Sequence, residues 1–211
     1  MEASVQRPDP TQGQSAGNAT WTPADPGPLG LAGFALTTFI LSMFNAHLVN
    51  AGDSAVVLSV ALAYGGIAQF AAGMWEFRTG NTFGAVAFSS YGAFWISFFV
   101  LSQFHAKLLV TPGKAVGLYL IAWGIFTTYM WVASFRTSVA VNLVFLFLAI
   151  TFFLLGIGNA GSHVNIVKAG GWCGLVTAAI AWYTSFAAVT NSTFGRTVIP
   201  VVPLTPGARA K

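Results

Sequence analysis

Charge is what this sequence lacks most. Of its 211 residues only 7% are Asp, Glu, Lys or Arg, against about 25% in a soluble domain. A chain so poor in charge cannot cover a water-facing surface, so the membrane class comes first. One cysteine, Cys173, is present; it excludes an intrachain disulfide and a cysteine-based metal cluster, and reads as a small packing residue. No strand-length alternation of polar and apolar residues marks a β-barrel. The first 29 residues carry no apolar core of a signal peptide. No Asp or Glu lies mid-span, where a proton-relay pump or symporter usually places one. Ser89-Ser90 has no G-x-S-x-G setting, so nothing marks an enzyme. No cofactor is expected.

What remains is long and apolar. Six stretches free of Asp, Glu, Lys and Arg reach the ~20 residues a bilayer span needs: 30–48, 54–75, 83–104, 115–135, 138–157 and 169–190. The fold class is therefore an all-α membrane protein of six transmembrane helices with short connections. Three segments follow: a polar tail over 1–24, read as disordered; a transmembrane domain over 25–199; and a Pro-rich, extended tail over 200–211. Asn18-Ala19-Thr20 fits a glycosylation sequon, a weak pattern. With six spans both termini share a side. Arg7, Arg78, Arg136, Arg196, Arg209 and Lys211 fall on it, and Lys107, Lys114 and Lys168 on the other. That bias puts the termini in the cytoplasm of a multi-pass protein in the plasma or inner membrane. The net charge of +4 then reflects topology, with no nucleic-acid partner implied.

The spans do hold small residues and neutral hydrogen-bonding groups. His47, His105 and His163 end different odd-numbered spans on one side without ligand spacing, so interfacial histidines are expected and no metal site. Gly65-Gly66 and Gly92 allow close helix approach. Gln69, Asn45, Asn142 and Tyr91 need partners in a dry interior. They either bind helices together or line a polar path. Singly each reads as helix glue; as a set they point to a path.

Four blocks in order carry a resemblance. Asp25-Pro26-Gly27-Pro28-Leu29-Gly30-Leu31 resembles the signature Asn-Pro-Ala-Pro-Leu-Gly-Leu. YGGIAQFAAGMWEFRTGNTFGAVAFSSYGAFW (64–95) is similar to a central block, Gly158-Asn159 ends the fifth span, and FGRTVIP (194–200) matches a C-terminal motif. The chain resembles the acetate uptake transporters, which include succinate–acetate permeases. Asp25 and Gly27 depart from the pattern at the entrance motif Pro28, Leu29 and Gly30.

The resemblance implies homo-hexamers in which each protomer, among its membrane lipids, carries its own pore. It implies a constriction at Phe34, Tyr91 and Leu148, from the first, third and fifth spans. These three are equally spaced along the chain, as three successive hairpins would place them. The Tyr91 hydroxyl, with Thr37, Ser90, Gln69, Asn45 and Asn159, is expected to replace water around a small carboxylate. The expected substrates are acetate and succinate, moving with a proton that acetate itself can carry, its pKa being near that of Glu at about 4.3. Two other readings stand: a channel for neutral solutes such as urea, amides or ammonia, and a non-transporting membrane sensor or scaffold.

Overall fold

In lipid every backbone N–H and C=O must find a partner within its own segment, so long apolar runs become helices. The structure, a computed structural model, describes Trp21 and residues 23–204. Six helices are long and apolar enough to cross a membrane: α1 (Gly27–Asn45), α2 (Ala51–Thr79), α3 (Thr82–Leu108), α4 (Pro112–Ser134), α5 (Val139–Ala160) and α6 (Val164–Phe194). Among the described residues the only β-type pairing is an isolated bridge between Ser138 and Pro203. Most of the tail expected over 1–24, with its sequon and Arg7, lies outside the described residues, as do Arg209 and Lys211.

Local chemistry sets the helix ends. Asp25 Oδ1 accepts the N–H of Gly27 at 2.8 Å, and Pro28 sits in the first turn of α1, where its missing N–H costs nothing. Gly80 takes a left-handed conformation (φ 80°) that closes α2. Asn81 then caps α3 by accepting the Gly84 N–H at 3.1 Å. Ser138 caps α5 through the Val141 N–H. Two helices contain π-helical turns, Ala63–Ala68 in α2 and Leu101–His105 in α3.

α2 packs on α3, α4 on α5, and α6 lies between α1 and α5; α3 and α4 touch lightly. Glycines let these pairs approach. A Cβ on Gly92 of α3 would stand 2.7 Å from the Phe70 backbone nitrogen of α2. Large apolar residues on the outer faces, such as Leu118, Ile125, Tyr129 and Val132 of α4, are exposed, as lipid-facing positions are.

The start of α1 and the end of α6 meet on one face, where Ser185 Oγ donates to Pro28 O at 2.7 Å. We call this the near face and its opposite the far face. The segment after α6 is held by specific hydrogen bonds. Asn191 accepts the N–H groups of Val198 and Ile199 and donates to Ile199 O. Val139 and Ala140 donate to Val202 O and Val201 O, and Leu204 to Thr137 O. Residues 198–204 are thus fastened to the near end of α5 by N–H groups that would otherwise be orphaned, and to that of α6 by the Asn191 side chain.

Candidate functional site

Two cavities open between the helices. The near cavity, of about 230 Å³, is lined by residues of α1, α2, α3 and α5, with Asp25 and Asn81 at their near ends. The far cavity, of about 260 Å³, is lined by α1, α3, α4 and α5, with Asn45, Ser102 and Asn159 toward the far face. Only Phe34 and Leu148 line both. Both are buried, and the two cavities adjoin at these side chains. Tyr91 lines the near cavity beside them, its ring centroid 5.8 Å from that of Phe34. The structure therefore brings Phe34, Tyr91 and Leu148, far apart in sequence, to one level of the bundle.

The Tyr91 hydroxyl is already engaged. It lies 2.9 Å from Thr127 Oγ1, and Thr127 donates its own proton to Trp123 O at 2.7 Å. Thr127 has one proton to give, so the Tyr91 hydroxyl is the donor between them. Its proton points to α4 and is not offered to the cavity.

Gln69, from α2, also lines the near cavity at 1% exposure. Neither its Nε2 nor its Oε1 has a hydrogen-bond partner. Asn45 and Asn159 line the far cavity; the Asn159 amide donates to Leu155 O at 2.8 Å. Thr37 and Ser90 differ from the expectation. Neither lines the near or the far cavity. Thr37 donates to Gly33 O at 2.9 Å and packs on Gly65, so α1 presents it to α2 as helix glue. Asn142 is glue as well, donating to Ser134 Oγ at 2.8 Å across α4 and α5. Of the entrance motif, Pro28 and Leu29 line a separate groove with Tyr64 and Ser185. Gly30 admits the Phe88 ring, and Asp25 and Gly27 border the near cavity.

Three lining residues escaped the sequence reading. Thr38 and Trp95 line the far cavity, and Thr38 Oγ1 and Trp95 Nε1 are buried without partners. Helical phase separates Thr38 from Thr37 by one step of ~100°, which the sequence alone does not orient. Glu76 lies at the end of the second span, in the last turn of α2 before Thr79, yet it is 2% exposed and lines the near cavity, where Gly27 and Gly84 leave room for its carboxylate. The three histidines are exposed.

Helices that enclose two cavities meeting at one apolar level define a multi-pass membrane protein of the channel or carrier class. The chain belongs to the GPR1/FUN34/yaaH family, whose match spans residues 11–206. It is 42% identical over 207 residues to "Acetate permease A" of Emericella nidulans, covering 89% of this chain and 70% of that protein. It is 39% identical over 181 residues to "Succinate-acetate/proton symporter SatP" of Escherichia coli K12, covering 84% of this chain and 95% of that one. The solved structure of the bacterial acetate channel SatP superposes with a TM-score of 0.80 at 39% identity, over 85% of this chain and 99% of that one.

Proposed function

We propose that this protein carries acetate, and succinate or other small carboxylates, across the plasma or inner membrane together with a proton. The observation that carries the reading concerns buried polar atoms. Among the described residues five have no hydrogen-bond partner, and four of them belong to cavity-lining side chains: Gln69 Nε2 and Oε1, Thr38 Oγ1 and Trp95 Nε1. An unmet buried donor costs about 1–3 kcal/mol, a cost that a passing carboxylate would offset. The Gln69 amide lies on one side of the Phe34–Leu148 level, and Thr38 and Trp95 on the other. No basic residue lines either cavity among the described residues, so the anion is held weakly and released readily.

In this reading Phe34, Tyr91 and Leu148 form the constriction. Asn45 and Asn159 hand the substrate to water at the far face. The near face, with Arg78, Arg136 and Arg196, is cytoplasmic, and the protein assembles as a homo-hexamer in the lipid bilayer. The names of the two relatives and of the solved channel support acetate, succinate and proton movement. The test is uptake of labelled acetate by liposomes holding the purified protein, against protein-free liposomes. Saturable uptake that succinate competes with is expected. Uptake of urea or ammonia with no protein-dependent acetate flux would refute the reading in favour of a neutral-solute channel.

A further inference from the structure

The near cavity puts a carboxyl group where an anion has to pass. Glu76 reaches the cavity wall from the last turns of α2 and is almost fully buried. The Thr79 hydroxyl, which donates to Glu76 O at 2.9 Å, also lies 3.1 Å from Glu76 Oε2, and Asn81, the cap of α3, stands beside the carboxylate. Gly27 of α1 and Gly84 of α3 face Glu76 Oε1, where a Cβ would stand 3.5 and 2.7 Å away. A side chain at either position would crowd the carboxylate. About two turns further into the membrane on the same helix is the partnerless Gln69 amide, lining the same cavity.

The charged surroundings are few. Asp25, before α1, is the other carboxyl on the cavity. Neutral groups face Glu76 from α3 and its cap, and from the α5 side the lining begins with Thr137 and Val141. Arg78, two residues along α2, lies over the Trp21 ring at 5.8 Å. Arg136, next to Thr137, has an interaction of its own. A substrate carboxylate entering here meets Glu76 and Asp25 without a lining cation, and like charges at close range repel strongly in a poorly hydrated cavity.

We propose that Glu76 is the protein's proton-binding group, so that a carboxylate occupies the near cavity beside the Gln69 amide only when Glu76 is protonated. This rests on the transport reading above and deepens it. The step balances: Glu76–COOH with the substrate anion holds the same atoms and charge as Glu76 carboxylate with the neutral acid. One proton therefore accompanies one substrate carboxylate, and the proton passes between two oxygens without any other reactant. Gln69 is a positioning donor that holds the carboxylate while the proton is shared.

The test is protein-dependent acetate exchange in liposomes across pH 5.5–8, with equal pH on both sides. If the parent shows no exchange at any pH, the transport reading itself fails. Given parental exchange, one proton per substrate yields a fall approaching ten-fold per pH unit above the titration point. Glu76→Gln keeps the shape and is expected to exchange acetate with a flat profile, while Glu76→Asp keeps the slope. A slope in Glu76→Gln equal to the parent's would overturn the proposal, because the proton would then travel on acetate alone. A second measurement needs no variant. An apolar carbodiimide, which reacts with protonated carboxyls, should label Glu76 of the parent faster at pH 6 than at pH 8, with slowing by acetate. Labelling that ignores both pH and acetate would also overturn it.

Discussion

Tyr91→Phe removes one oxygen from the level at which the cavities meet, and the structure says what that oxygen does. Its proton goes to Thr127, and Thr127 keeps its own bond to Trp123 O. The substitution leaves no buried donor orphaned; Thr127 loses one accepted bond. A buried neutral hydrogen bond contributes about 0.5–1.5 kcal/mol net. The phenyl ring would keep its neighbours Phe34, Phe126 and Phe145, whose centroids lie 5.8, 5.4 and 6.0 Å away. Stability should therefore fall by about 1 kcal/mol, a few degrees in thermal midpoint, and acetate uptake should stay within roughly three-fold of the parent. If the hydroxyl instead served the substrate, a donor to an anion contributes about 1.5–3 kcal/mol, and uptake would drop ten-fold or more. Thr127→Val sharpens the distinction. It strands the Tyr91 O–H in a dry interior, at about 1–3 kcal/mol, and should destabilise more than Tyr91→Phe. The assay is initial acetate uptake in liposomes at matched protein content, with a melting curve of each variant in the same detergent. A ten-fold loss in Tyr91→Phe with an unshifted melt would refute the helix-bridging role.

Other perturbations read different parts of the path. Leu148→Ala opens the level shared by both cavities and should raise lactate uptake relative to acetate. Its stability cost should fall below the about 2–5 kcal/mol of a sealed core, and Leu146→Ala, which lines neither cavity, should leave the ratio unchanged. Trp95→Phe removes the partnerless indole N–H together with the five-membered half of the ring, so a lower melting midpoint is expected as well; acetate affinity measured from the far side should weaken by roughly ten-fold if that N–H meets the anion. Gly92→Ala places a methyl against the α2 backbone at Phe70 and should cost about 1–3 kcal/mol, read as a lower melting midpoint with normal substrate selectivity in the protein that folds.

Six helices were legible because hydropathy over ~20 residues is a strong signal. The part played by α1, α3 and α5 was legible through the family motifs, and the structure sets Phe34, Tyr91 and Leu148 at one level. Individual polar residues were harder, because a one-residue step turns a side chain by ~100°. Thr37 and Thr38 are adjacent, yet one packs on Gly65 and the other lines the far cavity. Glu76 does end the second span, as its charge implies, but the sequence does not show that its carboxylate stays buried on the cavity wall beneath the left-handed Gly80 and the Asn81 cap. The sequence marks the tail after residue 199 as Pro-rich and extended but does not show its partners, the N–H groups at the start of α5 and the carbonyl of Thr137.

The distribution of partners gives the site its logic. Several polar groups that serve the scaffold are satisfied inside the protein: Thr37, Thr127 and Asn142 each have acceptors within 2.9 Å. Of the cavity-lining groups near the Phe34–Leu148 level, Tyr91 is bonded to Thr127, but Gln69, Thr38 and Trp95 are left unmet. Buried polar groups are normally paired, so unmet groups on both sides of one apolar level are hard to explain as packing. They fit a small amphiphilic anion that trades water for side-chain donors, crosses a short apolar gap, and finds donors again. The same asymmetry explains why, among the described residues, no lysine or arginine lines the walls. A fixed cation would supply the whole cost of desolvation in one place and make that place a trap. Neutral donors supply it in parts, and a protonatable carboxyl on the near side adjusts the remaining charge to the pH of the compartment it faces.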